Sequence, residues 1–200
     1  MNVEKTWLYS LARALLTVYY GLFFRVRAKG VQNFPSDKNC ILLCNHISAW
    51  DPITIALQYK HNEIHFFAKD TLFKNKFLSS LLTKLHAIPV KRGETDMKAM
   101  RASMQVIKDG HVFGIFPEGH RYYDGELKPL ETGVAVMALK SRVPVVPIWV
   151  QGTYKLFGKI QVNIGKAMHL DAYWEKPSNA ETLEEIKKEM TQALQNLQER

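Results

Sequence analysis

The run Asn45-His46-Ile47-Ser48-Ala49-Trp50-Asp51 sets an imidazole and a carboxylate five residues apart. A loop followed by a first helical turn brings such a carboxylate back onto the ring. There it fixes the tautomer and stabilises the imidazolium as it forms. An imidazole titrating near pH ~6.5 is well matched to general-base work at neutral pH. The competing reading makes Asp51 the N-cap of a helix opening at Pro52; the two are compatible, because a carboxylate has two oxygens. Ser48 is read as shaping the loop, and Asn45 or a nearby backbone N–H as the donor for a developing oxyanion.

A second cluster is Phe116-Pro117-Glu118-Gly119-His120-Arg121, a charged pair on a turn shaped by Pro and Gly. Arg121 can grip a phosphate bidentately, while Glu118 orients it or holds a substrate hydroxyl. Arg92, after Ile88-Pro89-Val90-Lys91, offers a second cation, and Lys69, after Phe66-Phe67-Ala68, a third. Each of these charges taken alone reads as a solvated surface group.

Other chemistries fit less well. No Gly-x-Ser-x-Gly elbow is present for a serine hydrolase. His46, Asp51, Glu118 and His120 are a conceivable zinc set, but His61-Asn62-Glu63-Ile64-His65 is not His-Glu-x-x-His, since Glu63 stands one place late. No metal is assigned. A non-enzymatic lipid- or nucleic-acid-binding module accounts for the charge but not for the His–Asp block.

Both clusters follow apolar runs, which is where sites gather in open α/β sheets. Strands are expected at Arg25–Val31, Cys40–Cys44, Ile64–Ala68, Ala87–Val90, His111–Phe116, Val145–Val150 and Ile160–Ile164. Helices are expected at Pro52–Tyr59, Lys76–Leu85, Asp96–Lys108, Thr132–Ser141 and Glu181–Gln198. The alternation predicts a single α/β domain with a mostly parallel or mixed central sheet flanked by helices. With 200 residues, 46% of them hydrophobic, the chain has ample core material and is not globally disordered.

The formal charge of +8 suits anionic lipid, nucleic acid or an acidic carrier. Between Lys5 and Pro35 stand five basic residues (Lys5, Arg13, Arg25, Arg27 and Lys29) and no acid. Within Trp7–Phe24, the polar residues Ser10, Arg13, Thr17 and Tyr20 form one narrow helical stripe, and the other faces are apolar or aromatic. Such a helix lies in the headgroup region with Arg13 toward water and the following cations on anionic phosphates. A span needs about 20 apolar residues, and this segment is interrupted by Arg13. Gly21–Arg25 supplies no small-residue cleavage site for a signal peptide. A helix packed on the core remains the alternative. The expected organisation is thus an amphipathic membrane-associating helix over residues 1–24 and a catalytic domain over 25–200. Cys40 and Cys44, about 13 Å apart along one strand, cannot bridge each other, which fits a reducing compartment.

Together these residues resemble the glycerolipid acyltransferase family, most closely its lysophosphatidate (1-acyl-sn-glycerol-3-phosphate) acyltransferases. Asn45–Asp51 matches the family's Asn-His-x-Ser-x-x-Asp block in full. Ile88–Gly93 matches its second block, with Arg92 in the phosphate-binding role. Phe116–Tyr122 matches Phe-Pro-Glu-Gly-Thr-Arg-Ser, with His120 for Thr and Tyr122 for Ser. Val143-Pro144-Val145-Val146-Pro147-Ile148 matches the fourth block. The resemblance runs from about residue 40 to 150. It implies His46 and Asp51 as the catalytic pair and Arg92, Glu118, Gly119, Arg121 and Lys69 as substrate contacts. The implied reaction takes an acyl chain from acyl-coenzyme A or acyl carrier protein to a lysophospholipid acceptor, giving phosphatidate, with no cofactor and no nucleic-acid partner. The expected location is the cytoplasmic face of the cell membrane, on an anionic surface, as a peripheral or monotopic protein.

Overall fold

The computed structural model describes residues 6–36, 39–91 and 96–198. After helix α1 (Trp7–Phe23) come β1 (Arg25–Lys29), β2 (Ile41–Cys44), α2 (Asp51–Gln58), β3 (Ile64–Lys69), α3 (Lys76–Lys84), β4 (Ala87–Val90) and α4 (Met97–Lys108). Then follow β5 (Val112–Ile115), α5 (Thr132–Ser141), β6 (Val145–Gly152), β7 (Lys159–Ile164) and α6 (Ala180–Gln198). The strands form one seven-stranded mixed sheet in the order β1-β7-β6-β2-β5-β3-β4. All neighbours are parallel except β6 and β7, which run antiparallel. Expected and observed elements agree closely. β1 stops at Lys29 because Val31–Asn33 turns into a short 3₁₀ segment.

The central strands are buried on both faces, as their unbroken apolar runs require. Ile41 and Leu43 of β2, Phe113 and Ile115 of β5, and Val145 and Trp149 of β6 meet α5 and α6, with Ile107 of α4. Alternate residues (Leu42, Cys44, Val112, Val146, Ile148 and Val150) meet Ile55 and Tyr59 on the side of α2, with Tyr20 of α1 and Phe24 just after it. Both cysteines are buried and free, and burial pushes the Cys40 thiol up to about 12.

Within α1, Ser10 and Thr17 of the polar stripe are exposed, but Arg13 and Tyr20 turn toward the protein. Arg13 does not face water. Its guanidinium donates to the carbonyls of Leu57 (2.9 Å) and Tyr59 (2.6 Å), at the C-terminal end of α2 where helix carbonyls lack intrahelical donors. Tyr9 and Tyr20 are buried with it. The apolar residues Trp7, Leu11, Leu15, Val18 and Leu22 instead face outward, Trp7 being 76% exposed. α3 has no buried residue and exposes Phe77 (81%) and Leu81. Among the described residues no helix is long and apolar enough to cross a membrane.

The parallel pairing of β2, β5, β3 and β4 brings the loops after all four strands to one edge of the sheet. His46 follows β2, Glu118–Arg121 follows β5, Lys69 ends β3 and Lys91 follows β4.

Candidate active site

His46 leaves the end of β2, and Asp51 is the first residue of α2. The His46 Nδ1 lies 2.8 Å from the Asp51 Oδ2. The same oxygen accepts the N–H groups of Ile47 (2.8 Å) and Ser48 (2.7 Å). Asp51 therefore holds the loop rather than capping its helix; the N-cap position is Trp50, without a side-chain cap. A wholly buried carboxylate that accepts three N–H groups on one oxygen orients the ring and keeps the proton on Nδ1. That leaves Nε2 unprotonated, and the ring lines a large cavity. Ser48 shapes the loop as expected, its hydroxyl accepting the Trp50 N–H at 3.2 Å.

The turn after β5 supports this ring from behind. One Glu118 oxygen accepts the N–H of His46 (3.0 Å) and the other that of Lys128 (3.2 Å). Burial raises the Glu118 pKa above the usual carboxylate value, against the lowering effect of these two N–H groups. Glu118 was expected to touch substrate; the structure spends both of its oxygens on backbone, and the cavity wall is made by Pro117, Gly119, His120 and Arg121 around it. Gly119 is at φ +69°, a left-handed turn that favours glycine. The Phe116 ring lies against that of His46 at 4.0 Å between centroids, and Phe66 stacks on Phe116 at 5.8 Å. Phe66 fits because residue 114 is glycine: a Cβ there would stand 2.1 Å from its ring. Neither Gly114 nor Phe66 carries a polar atom that sequence reasoning would single out.

Asn45 is not free for an oxyanion. Its amide donates to the Val150 carbonyl (2.9 Å) and accepts the Val150 N–H (2.7 Å), tying the end of β2 to β6. The N–H groups of His46, Ile47 and Ser48 are likewise taken by Glu118 and Asp51. Of the loop's backbone donors these three are engaged, whereas Ala49, the next residue, lines the cavity.

The cavity that the His46 ring lines has a volume of about 840 Å³. One end is polar, with Lys69, Lys91, His120 and Arg121 on its wall, together with the carboxylate of Glu131. The remaining wall is mostly apolar, from Ile53 and Leu57 of α2 through Phe67 to Met100 and Met137, with Arg13, Asp96 and Thr132 as further polar members. Lys69, Gly119 and Arg121 thus meet around one space, as the sequence suggested. Arg92 lies outside the described residues. Among the described residues no group of three or more His, Cys, Asp or Glu side chains is placed to hold a metal ion. The side chain that sequence reasoning missed is Tyr154, whose hydroxyl donates to the Asp51 Oδ1 at 2.8 Å from 103 residues away. No local spacing points to such a contact.

Comparison with known proteins is consistent with this geometry. Residues 25–151 match the family model described as Acyltransferase. The chain is 31% identical to a 1-acyl-sn-glycerol-3-phosphate acyltransferase of Bacillus subtilis, covering 96% of this chain and 97% of the relative. It is 30% identical to the protein of the same name from Pseudomonas aeruginosa, over 78% of this chain and 63% of that one. The fold is that of the crystal structure of the 1-acyl-sn-glycerophosphate (LPA) acyltransferase PlsC from Thermotoga maritima. The TM-score is 0.74 at 24% identity, over 96% of this chain and 80% of the other.

Proposed function

We propose that this chain, which belongs to the acyltransferase family, moves a fatty acyl group from a thioester carrier to the sn-2 hydroxyl of 1-acyl-sn-glycerol-3-phosphate, giving phosphatidate. The observation that carries the reading is the setting of His46: Nδ1 is held by Asp51 and the ring lines a mostly apolar cavity whose wall also carries Lys69, Lys91 and Arg121. The acceptor's phosphate lies among Lys69, His120 and Arg121. Its free hydroxyl gives its proton to the His46 Nε2, and the oxygen attacks the thioester carbonyl. The C–S bond breaks, and the departing thiolate takes the proton back from His46. Asp51 stabilises the transient imidazolium. Either acyl-coenzyme A or acyl carrier protein supplies the same thioester chemistry, and no cofactor enters the steps.

The outward apolar stripe of α1 and the exposed Phe77 and Leu81 of α3 rest on the bilayer in this reading. Their burial in the headgroup region shields apolar surface from water, and Arg25, Arg27, Lys74 and Lys76 lie close in sequence to meet anionic lipid. The protein then works as a peripheral or monotopic enzyme on the cytoplasmic face of the cell membrane. An assay of the purified protein in detergent, with acyl-coenzyme A and acyl carrier protein offered in turn, tests the reaction by product mass. Phosphatidate should form from the phosphate-bearing acceptor. Equal use of a monoacylglycerol would remove the phosphate site from the reading.

A further inference from the structure

Asp51 is wholly buried, and its two oxygens are served unequally. Oδ2 accepts from His46, Ile47 and Ser48, whereas among the described residues Oδ1 has a single donor, the Tyr154 hydroxyl at 2.8 Å. A buried carboxylate oxygen deprived of its one donor is left with its desolvation cost uncompensated. Tyr154 lies in the connection between β6 and β7 and continues into a chain. The Thr54 Oγ1, on α2, is 2.9 Å from the Tyr154 hydroxyl, and the Tyr20 hydroxyl, on α1, is 3.2 Å from the Thr54 Oγ1.

The direction of that chain follows from counting protons. A hydroxyl has one to give. Tyr154 gives its proton to the carboxylate, so the link between Thr54 and Tyr154 must run from Thr54. The Thr54 oxygen is then open to receive the proton of Tyr20. The Trp50 carbonyl is the alternative acceptor for both, at 3.1 Å from Thr54 and 3.3 Å from Tyr20, in each case the longer contact. All three hydroxyl dipoles therefore point toward Asp51, an arrangement in which each bond strengthens the next. The ring of Phe24 packs edge-on against Tyr154, and that of Tyr20 against Trp50. Burial keeps the phenols protonated, raising Tyr20 to about 12 and Tyr154 further.

We propose that Tyr154 is a positioning residue for the reaction, holding the second oxygen of Asp51, and that Thr54 and Tyr20 extend this hold so that the seating of α1 helps to orient the His46 ring. The proposal rests on the assignment of His46 as the base and Asp51 as its partner. It gives α1 a part in catalysis in addition to any contact with lipid: a helix lifted from the body would withdraw Tyr20 and leave Thr54 to turn to the Trp50 carbonyl.

The test uses Tyr154→Phe, Thr54→Val and Tyr20→Phe in the full chain, with His46→Ala alongside. Tyr154→Phe should lower kcat roughly ten- to hundredfold, the kinetic equivalent of a lost hydrogen bond to a charged group, with KM for both substrates within about twofold. Thr54→Val should lower kcat less, and Tyr20→Phe less again, since each removes a link further from the carboxylate. The low-field resonance of the His46 Nδ1 proton should shift in the same order, a signature that a merely structural tyrosine would not produce. An inactive His46→Ala beside a Tyr154→Phe of unchanged kcat and unmoved resonance overturns the positioning role alone. An active His46→Ala overturns the base assignment and the positioning role with it. Should Tyr154→Phe fail to fold, Thr54→Val decides: unchanged kcat with an unmoved resonance overturns the proposal.

Discussion

Two histidine–carboxylate pairs stand at opposite edges of the same sheet. At the C-terminal edge, His46 gives Nδ1 to Asp51 and its ring lines a cavity of about 840 Å³. At the N-terminal edge, ahead of β3 and β4, His86 meets Glu63 through Nε2, and the other Glu63 oxygen accepts the N–H and hydroxyl of Thr6. The His86 ring packs against Tyr9 and His65, and His65 in turn against His111. None of Glu63, His65, His86 and His111 lines the large cavity. Both edges pair a histidine with a buried carboxylate; what differs is that the His46 ring lines the large cavity and the His86 ring does not. Parallel strands send their following loops to one edge only, so loops from β2, β5, β3 and β4 enclose a substrate-sized volume there. At the other edge Thr6 is tied to Glu63 and Tyr9 of α1 accepts the Ile64 N–H, while α1 also lines the cavity through Ala12, Arg13 and Leu16.

The largest break of this comparison is His46→Ala. It should cost roughly 10²–10⁴-fold in kcat through loss of the base, with thermal unfolding near that of the wild type. Turnover within a few-fold of normal would place the two pairs on an equal footing.

Arg121→Ala probes the charge at the C-terminal edge. Arg121 lines the cavity, whereas the acidic and imidazole groups of the other edge are engaged with one another. Loss of a charge-assisted contact should cost roughly 1.5–3 kcal/mol in kcat/KM, mostly as a higher KM for a phosphate-bearing acceptor, read from initial rates. An unchanged KM would move Arg121 to the solvated surface.

Glu63→Gln examines the N-terminal edge. Weakening a buried network should cost roughly 1–3 kcal/mol of stability, or several degrees of Tm at this chain length, roughly 2–4 °C per kcal/mol. Paired calorimetry and kinetics should show kcat within about twofold of the wild type. A folded Glu63→Gln without turnover would mean that the N-terminal edge takes part in the reaction.

What the sequence revealed divides along the same line of local against distant contacts. His46 and Asp51 are five residues apart on a strand–loop–helix turn, so their meeting could be read directly, as could the order of strands and helices from their periodicity. Contacts between remote segments had no such signal. Tyr154 reaches Asp51 across 103 residues and Asn45 reaches Val150 across 105. Glu118 accepts the backbone N–H of His46 from 72 residues away. The α1 stripe shows a different failure. Periodicity correctly put Arg13 and Tyr20 on one face but did not say that the face would meet protein, because the carbonyls that Arg13 satisfies belong to the end of α2.

The smallest expected effect separates the two edges by pH. Burial, then the charges of His86 and His111, lowers the His65 pKa from the usual 6.5 to about 3, and its Nδ1 is buried without a hydrogen-bond partner. Unfolded, this imidazole binds a proton near pH ~6.5; folded, it stays neutral until about 3. Above the first value both states are neutral and His65 adds no pH dependence. Between the two, the unfolded state holds the extra proton, so stability falls as the pH falls, by up to about 1.4 kcal/mol per pH unit. His65→Phe removes that proton site while keeping an aromatic ring against His86 and His111. Denaturant unfolding at pH 7.5, 6 and 5 should therefore show wild-type stability declining more steeply than that of the variant, with the gap opening only below about 6.5. Glu63, His86, His111 and Tyr9 face the same site in both proteins, so their common contribution cancels to first order in the difference between the two slopes. Parallel slopes would show that His65 takes up its proton without resistance, and would leave the N-terminal edge electrostatically ordinary.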